Sequence, residues 1–159
     1  MATKYLYFAY GSNLNKRQMK FRCPESIPVG MAWLEEHQLE FLGNSKGGGV
    51  ANVRKNEDSI VDGGLWEVPK RDWPALDRYE GYPRLYDRAK RQVLYKDESG
   101  QKRYIEAIIY IMNDGFVPAS PSVEYLTTIL NGYEDFGVVE HEYKKLMDAF
   151  GRHGGVIKW

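Results

Sequence analysis

At 159 residues the chain has the length of one ordinary domain with room for a buried core, and 1–159 is read as a single domain. A composition of 43% hydrophobic and 14% aromatic residues excludes a disordered chain. Basic and acidic residues balance at 22 each, so no overall field draws the chain to nucleic acid or to an anionic membrane, and neither is expected as a partner.

Tyr5 to Ala9 (YLYFA) carries the aromatic residues that suit a pleated, buried strand. This apolar run is broken at Gly11, too early for a signal peptide or a membrane span, and the cytoplasm is the expected compartment. The strand gives way to Tyr10-Gly11-Ser12-Asn13, then Leu14 and a polar, helix-compatible stretch to Lys20. A glycine there lets the backbone turn sharply and approach a ligand. The amides that follow can converge as donors to an anion or a developing oxyanion. The same residues also fit an ordinary strand-to-helix turn with Ser12 or Asn13 as the cap. Cys23 is the only cysteine, which excludes an intrachain disulfide, a CxxC pair and a thiolate-rich metal site; before Pro24 it reads as a small packing residue.

The middle of the chain reads as strands at Met31 to Leu34, Gln38 to Leu42, Gly49 to Val53, Ile60 to Val68, Ala89 to Tyr95 and Tyr104 to Met112. Lys46 to Gly49 (KGGG) is a loop, and Asp97 to Gln101 (DESGQ) a hairpin turn. Many sheet segments with few helices between them predict an α+β domain whose sheet is largely antiparallel or mixed, with curling into a barrel left open. Three helices surround it. The first runs from about Trp73 to Glu80, with Asp72 as cap, Pro74 in the first turn and Gly81 as the stop. The second runs from about Pro121 to Asn131, capped by Ser120 and followed by Gly132. The third spans about Glu140 to Phe150, where Tyr143, Leu146, Met147 and Phe150 repeat at helical spacing.

Glu80 falls in the last turn of the first of these helices. The partial negative charge of a helix C-terminus disfavours a carboxylate there, and burial would raise its proton affinity further. A carboxyl group so placed suits taking and returning a proton near neutral pH. The alternative is a solvated glutamate paired with Arg78, Arg84 or another base. Asp77, three positions earlier, either raises the proton affinity of Glu80 or only positions the helix.

Taken in order, these segments resemble the γ-glutamylcyclotransferases, including the wider AIG2-like group. The resemblance is carried by YFAYGSNL at Tyr7 to Leu14, GNS at Gly43 to Ser45, and G-x-x-W at Gly63 to Trp66. Leu76-Asp77 followed by Glu80-Gly81, and PSVEY at Pro121 to Tyr125, complete it across nearly the whole chain. It implies a small mixed, mostly antiparallel β-barrel with peripheral helices. It also implies release of 5-oxoproline from a γ-glutamyl amino acid or amine, with Glu80 as catalytic acid/base. Tyr7, Phe8, Ala9, Tyr10, Gly11, Ser12, Asn13 and Tyr125 are then the substrate-binding residues. The stretch Gly81-Tyr82-Pro83-Arg84-Leu85-Tyr86 is similar to the bacterial and AIG2-like branches, which differ among themselves in the leaving amine.

In that chemistry the substrate's own α-amine is the nucleophile, so the expected partner is a small γ-glutamyl substrate and no cofactor or metal is required. His37, His141 and His153 lie far apart and lack ligand spacing. Glu35-Glu36 and Asp97-Glu98 read as solvated loop charges. Two other readings stand beside the cyclotransferase. One is a non-catalytic module binding a small metabolite or a protein on the same fold. The other is a γ-glutamyl amide hydrolase, disfavoured because an intramolecular amine has a large effective concentration over water. The aromatic content would serve a homodimer interface as well as a core.

Overall fold

The computed structural model describes residues 4–43 and 48–138. The helix expected over Glu140 to Phe150, and Lys46 and Gly47 of the KGGG loop, lie outside the described residues.

The described elements are strand β1 (Lys4–Ala9), helix α1 (Lys16–Arg22), strands β2 (Ile27–Gly43) and β3 (Val50–Pro69), helix α2 (Trp73–Glu80), strands β4 (Tyr86–Lys96), β5 (Lys102–Met112) and β6 (Val117–Pro118), and helix α3 (Val123–Asp135). The sheet runs in the order β3-β1-β5-β4-β2-β6, and a further β3–β2 pairing closes five of these strands into a ring. The β1–β5 pairing is parallel and the others are antiparallel, so the sheet is mixed and mostly antiparallel with helices at its periphery. Closure removes the open edges of those five strands.

Two pairs of segments that read as separate strands are continuous. Met31 to Leu34 and Gln38 to Leu42 belong to β2, and Gly49 to Val53 and Ile60 to Val68 to one β3 that starts at Val50. The polar interruptions lie where the β2–β3 register shifts between Glu35 and His37. There Glu36 takes a positive φ of 59° and the strands absorb extra residues as a bulge without ending. Asp97 to Gln101 does turn β4 into β5, with Asp97 N–H donating to the Gln101 carbonyl at 3.0 Å and Gly100 at φ 85°.

Helix boundaries differ from expectation at two caps. Asp72 makes no side-chain cap bond, because a 3-10 turn over Lys70–Asp72 already leads into α2; its Oδ2 instead accepts from the Glu25 amide at 3.3 Å. The cap of α3 is Ser122, not Ser120: its Oγ accepts from the Tyr125 amide at 3.1 Å, and the helix begins at Val123. Gly132 does not end α3 but lies inside it, because another part of the chain presses against it. A methyl group there would meet the Leu14 Cβ at 2.6 Å and the Asn15 backbone nitrogen at 2.8 Å. This contact seats α3 on the turn that follows β1.

Gly132→Ala sets the helix preference of alanine, about 1 kcal/mol, against a clash with backbone that cannot move aside. The clash wins: chemical denaturation will show a net loss of roughly 1–2 kcal/mol. A variant as stable as the native chain would mean that α3 does not press on this turn.

Candidate active site

Strand alternation sorts the N-terminal signature into two sets. Tyr7 faces the helices, with its ring edge-on to Trp73 at 6.0 Å and to Tyr110 at 5.7 Å. Phe8 faces the other way, its ring beside the backbone of Gly63. After Ala9 the chain enters a 3-10 turn over Ser12–Leu14, and Asn15 then caps α1 by accepting from the Gln18 amide at 3.1 Å. Neither Ser12 nor Asn13 is the cap, and both residues line a cavity. The opening amides of such a turn have no acceptor within it.

Tyr7, Tyr10, Gly11, Ser12, Asn13, Glu80 and Tyr125 all line one cavity of about 150 Å³. Phe8 and Ala9 are buried beside it without lining it. The rest of the wall includes Ala51, Tyr79, Tyr86 and Tyr110. These were not legible as site residues, since an aromatic on a strand or helix reads first as packing. Gly11 is wanted for close approach: a Cβ would stand 3.1 Å from that of Ala51 and 3.3 Å from the Tyr125 hydroxyl.

The phenols are anchored to the main chain. Tyr10 donates to the Tyr110 carbonyl at 2.6 Å and Tyr86 to the Ala51 carbonyl at 2.5 Å, while Tyr125 accepts from the Ala51 amide at 3.0 Å. Tyr110 donates to Asp77 Oδ1 at 2.5 Å, and the other oxygen of Asp77 lies 3.4 Å from Arg88. Asp77 therefore orients a wall residue. Burial pushes the Tyr7, Tyr10, Tyr86, Tyr110 and Tyr125 phenols above their ordinary range, so they stay neutral.

Glu80 ends α2, and Gly81 follows in the left-handed conformation at φ 67°, its amide turned back to the Arg78 carbonyl. The glycine stop turns the chain away and leaves Glu80 at the cavity wall. Its Oε1 accepts from Asn13 Nδ2 at 2.9 Å, and the same nitrogen donates to the Tyr7 hydroxyl at 3.0 Å. Desolvation among the aromatic rings raises the Glu80 pKa to about 7, with the charge of Arg22 opposing the rise. Arg78 and Arg84, the bases suggested by proximity in sequence, are not the ones beside it; Arg22 of α1 is. His37 sits elsewhere, its Nδ1 2.8 Å from the Glu35 carbonyl. Among the described residues no three His, Cys, Asp or Glu side chains gather as metal ligands, and no helix is long and apolar enough to cross a membrane.

A small cavity walled by phenols around one buried carboxyl group has the form of a small-molecule site. The sequence assigns it more closely. Residues 7–133 match the model of the γ-glutamyl cyclotransferase, AIG2-like family, and the chain belongs to that family. It is 30% identical over 150 residues to a human γ-glutamylcyclotransferase, covering 89% of this chain and 77% of that one. Its mouse counterpart is 28% identical over 149 residues, with the same coverage. A solved γ-glutamyl cyclotransferase structure superposes with a TM-score of 0.79 at 27% identity, covering 91% of this chain and 87% of that one.

A carboxyl group whose folded pKa lies near 7 and whose unfolded pKa is near 4.5 keeps its proton in the folded state while the unfolded chain has already lost it. Its contribution therefore falls as pH rises from about 4.5 to about 7 and stays low above that. Glu80→Gln keeps the acceptor for Asn13 and removes this loss. Urea denaturation should find the variant more stable than native by about 2–3 kcal/mol near pH 8, and of similar stability near pH 4. Parallel stability curves across that range would contradict a raised Glu80 pKa.

Proposed function

We propose that the cavity binds the γ-glutamyl group of a small amide and releases it as 5-oxoproline, with Glu80 as the acid/base. The observation that carries this reading is the one carboxyl group in the cavity wall, Glu80, buried so that its pKa rises to about 7 and held by Asn13 Nδ2 at 2.9 Å among hydroxyls, backbone and apolar groups. The cavity of about 150 Å³ is small beside typical ligand pockets of roughly 300–1,000 Å³. It suits one amino-acid-sized group held bent, with the leaving amine directed to the mouth.

The chemistry follows from that confinement. Glu80 as carboxylate removes a proton from the substrate α-ammonium, and the freed amine attacks the γ-carbonyl carbon to close a five-membered ring. The carbon–nitrogen bond to the leaving amine then breaks as Glu80 returns a proton to that nitrogen. The ring nitrogen loses two protons between ammonium and lactam N–H; the second ends on the released amine, which is a cation in neutral water. A pKa near 7 leaves Glu80 able to do both halves of the exchange.

Folding the glutamyl chain into a near-attack geometry supplies much of the acceleration, because an oriented intramolecular amine has a high effective concentration. The opening amides of the Gly11 to Asn13 turn, which lines the cavity, would hold an oxygen of the glutamyl group in this reading. Tyr125, held by the Ala51 amide, and Tyr7, held by Asn13, contribute hydroxyl groups to the same wall.

Incubation with a panel of γ-glutamyl dipeptides and γ-glutamylamines, followed by product analysis, tests the reading. The native chain is expected to form 5-oxoproline and the free amine in equal amounts, and folded Glu80→Gln to lose at least about a hundredfold in kcat. Glutamate in place of 5-oxoproline would make the enzyme a hydrolase. Equal rates for the two proteins would remove Glu80 from the mechanism.

A further inference from the structure

Arg22 lies outside the cavity, yet its contacts are directed at it. It stands at the last position of α1, the favourable end for a cation. Its Nη1 donates to Asn13 Oδ1 at 2.6 Å and its Nη2 to Gln18 Oε1 at 2.7 Å. The guanidinium carbon sits 3.3 Å from the centre of the Tyr79 ring, and the Tyr79 hydroxyl is 2.9 Å from Ser12 Oγ. Two hydrogen bonds and a stacked ring hold the planar group in one orientation, which a lysine ammonium could not reproduce.

That orientation has a consequence for the amide it touches. A guanidinium only donates, so the Asn13 oxygen must face it and the Asn13 nitrogen must face the cavity. The nitrogen has two hydrogens, and they go to Glu80 Oε1 and the Tyr7 hydroxyl. Reversed, the amide would set its oxygen against the Glu80 carboxylate, which the ionised form cannot tolerate. The main chain of Asn13 is fixed independently, since Trp66 Nε1 donates to its carbonyl at 3.0 Å. Only the side-chain amide is left to be set.

We propose that Arg22 is a positioning residue that locks the Asn13 amide with its nitrogen toward the cavity, so that Glu80 and Tyr7 are held by one donor pair. It touches no substrate; its charge acts on Glu80 across the wall, and its guanidinium geometry acts through Asn13. The inference rests on the reading of Glu80 as acid/base, but it is tested on the unliganded protein without turnover. The groups facing Glu80 are the Tyr7 and Tyr10 phenols, Tyr86 of β4, Tyr110 of β5, Tyr125 of α3 and Arg22 of α1. The phenols are neutral through the range of interest, which leaves Arg22 and the Asn13 dipole to favour the carboxylate.

The measurement is a carboxyl carbon NMR titration of Glu80, its signal assigned by loss in Glu80→Gln. It is made on native protein, Arg22→Lys, Asn13→Ala and the double Arg22→Lys/Asn13→Ala variant, with each fold checked by circular dichroism. The native midpoint is expected near 7. Both Arg22→Lys and Asn13→Ala should move it to roughly 8, and the double variant, which keeps the charge that acts on Glu80 directly, should titrate with Asn13→Ala alone. The acidic limb of kcat/KM for Arg22→Lys should shift in step, with about a fivefold loss at neutral pH that is regained by about pH 9. A lysine variant that titrates like native would mean that charge alone suffices, and additive shifts in the double variant would mean that the guanidinium geometry reaches Glu80 by a route other than Asn13. Either result overturns the proposal. A native chain that forms no 5-oxoproline would defeat the cyclotransferase reading and leave the titration result standing.

Discussion

The hydrogen bond from the Asn13 amide to Glu80 joins the two parts of the chain that make the cavity. On one side is the turn that follows β1; on the other is the last residue of α2, 67 positions away in sequence. Asn13 is almost fully buried, and its main chain and side chain together touch Trp66, Tyr7, Arg22 and Glu80. A buried amide with all its groups satisfied has one low-energy arrangement, whereas a half-satisfied one is costly. Ring closure fixes β1, the pressure of α3 on Leu14 and Asn15 fixes the turn, and the amide carries that rigidity across to the carboxyl group.

The choice of tyrosine for the wall follows from a conflict. Raising a carboxyl pKa calls for apolar surroundings, but a cavity for a zwitterionic glutamyl group calls for polar atoms. A phenol meets both needs when its ring faces the carboxyl group and its hydroxyl has a partner. Tyr10 and Tyr86 spend their protons on main-chain carbonyls, and Tyr110 spends its own on Asp77. Tyr7 and Tyr125 instead accept, from Asn13 and from the Ala51 amide, so their own protons stay available. The wall thus has a saturated part and a receptive part, and the receptive part belongs to the segments whose pattern first suggested substrate contact.

Much of this was legible in the chain because it is local. Gly81 after Glu80 specifies a helix stop, and a carboxyl group at a stop is an electrostatic oddity that sequence displays. The strand-to-turn transition at Tyr10 to Asn13 is equally local. What sequence did not display is long-range. The partner of Glu80 is Arg22 through Asn13 and not Arg78 or Arg84, because the helix end points its carboxyl group across the cavity and not along its own surface. Tyr86 and Tyr110 enter the site through the pairing of β4 with β5, where Tyr86 lies opposite Met112 and Tyr110 opposite Arg88, and no spacing rule in one segment reveals that. Gly132 reads as a helix terminator until the Leu14 contact supplies another reason for it. Ser122 in place of Ser120 is a smaller miss of the same kind, since both serines precede a helical pattern and only geometry selects one.

Two helix ends meet at the site with opposite electrostatic sense. α1 ends in Arg22, where a cation is stabilised by the helix; α2 ends in Glu80, where a carboxylate is not. The first arrangement gives Arg22 a firm seat, reinforced by the Tyr79 ring, and at the second it is burial that holds the Glu80 proton. An isolated glutamate so placed would simply remain protonated and be useless as a base. A fully exposed ion pair would leave it a carboxylate too weak to take the proton of an ammonium group. Interposing Asn13 between the two charges gives the intermediate condition: the amide transmits orientation and a single donor, and the guanidinium stays outside the cavity wall. The pKa near 7 is the balance of burial against that restrained counter-charge, and the chain holds it at a cost in stability.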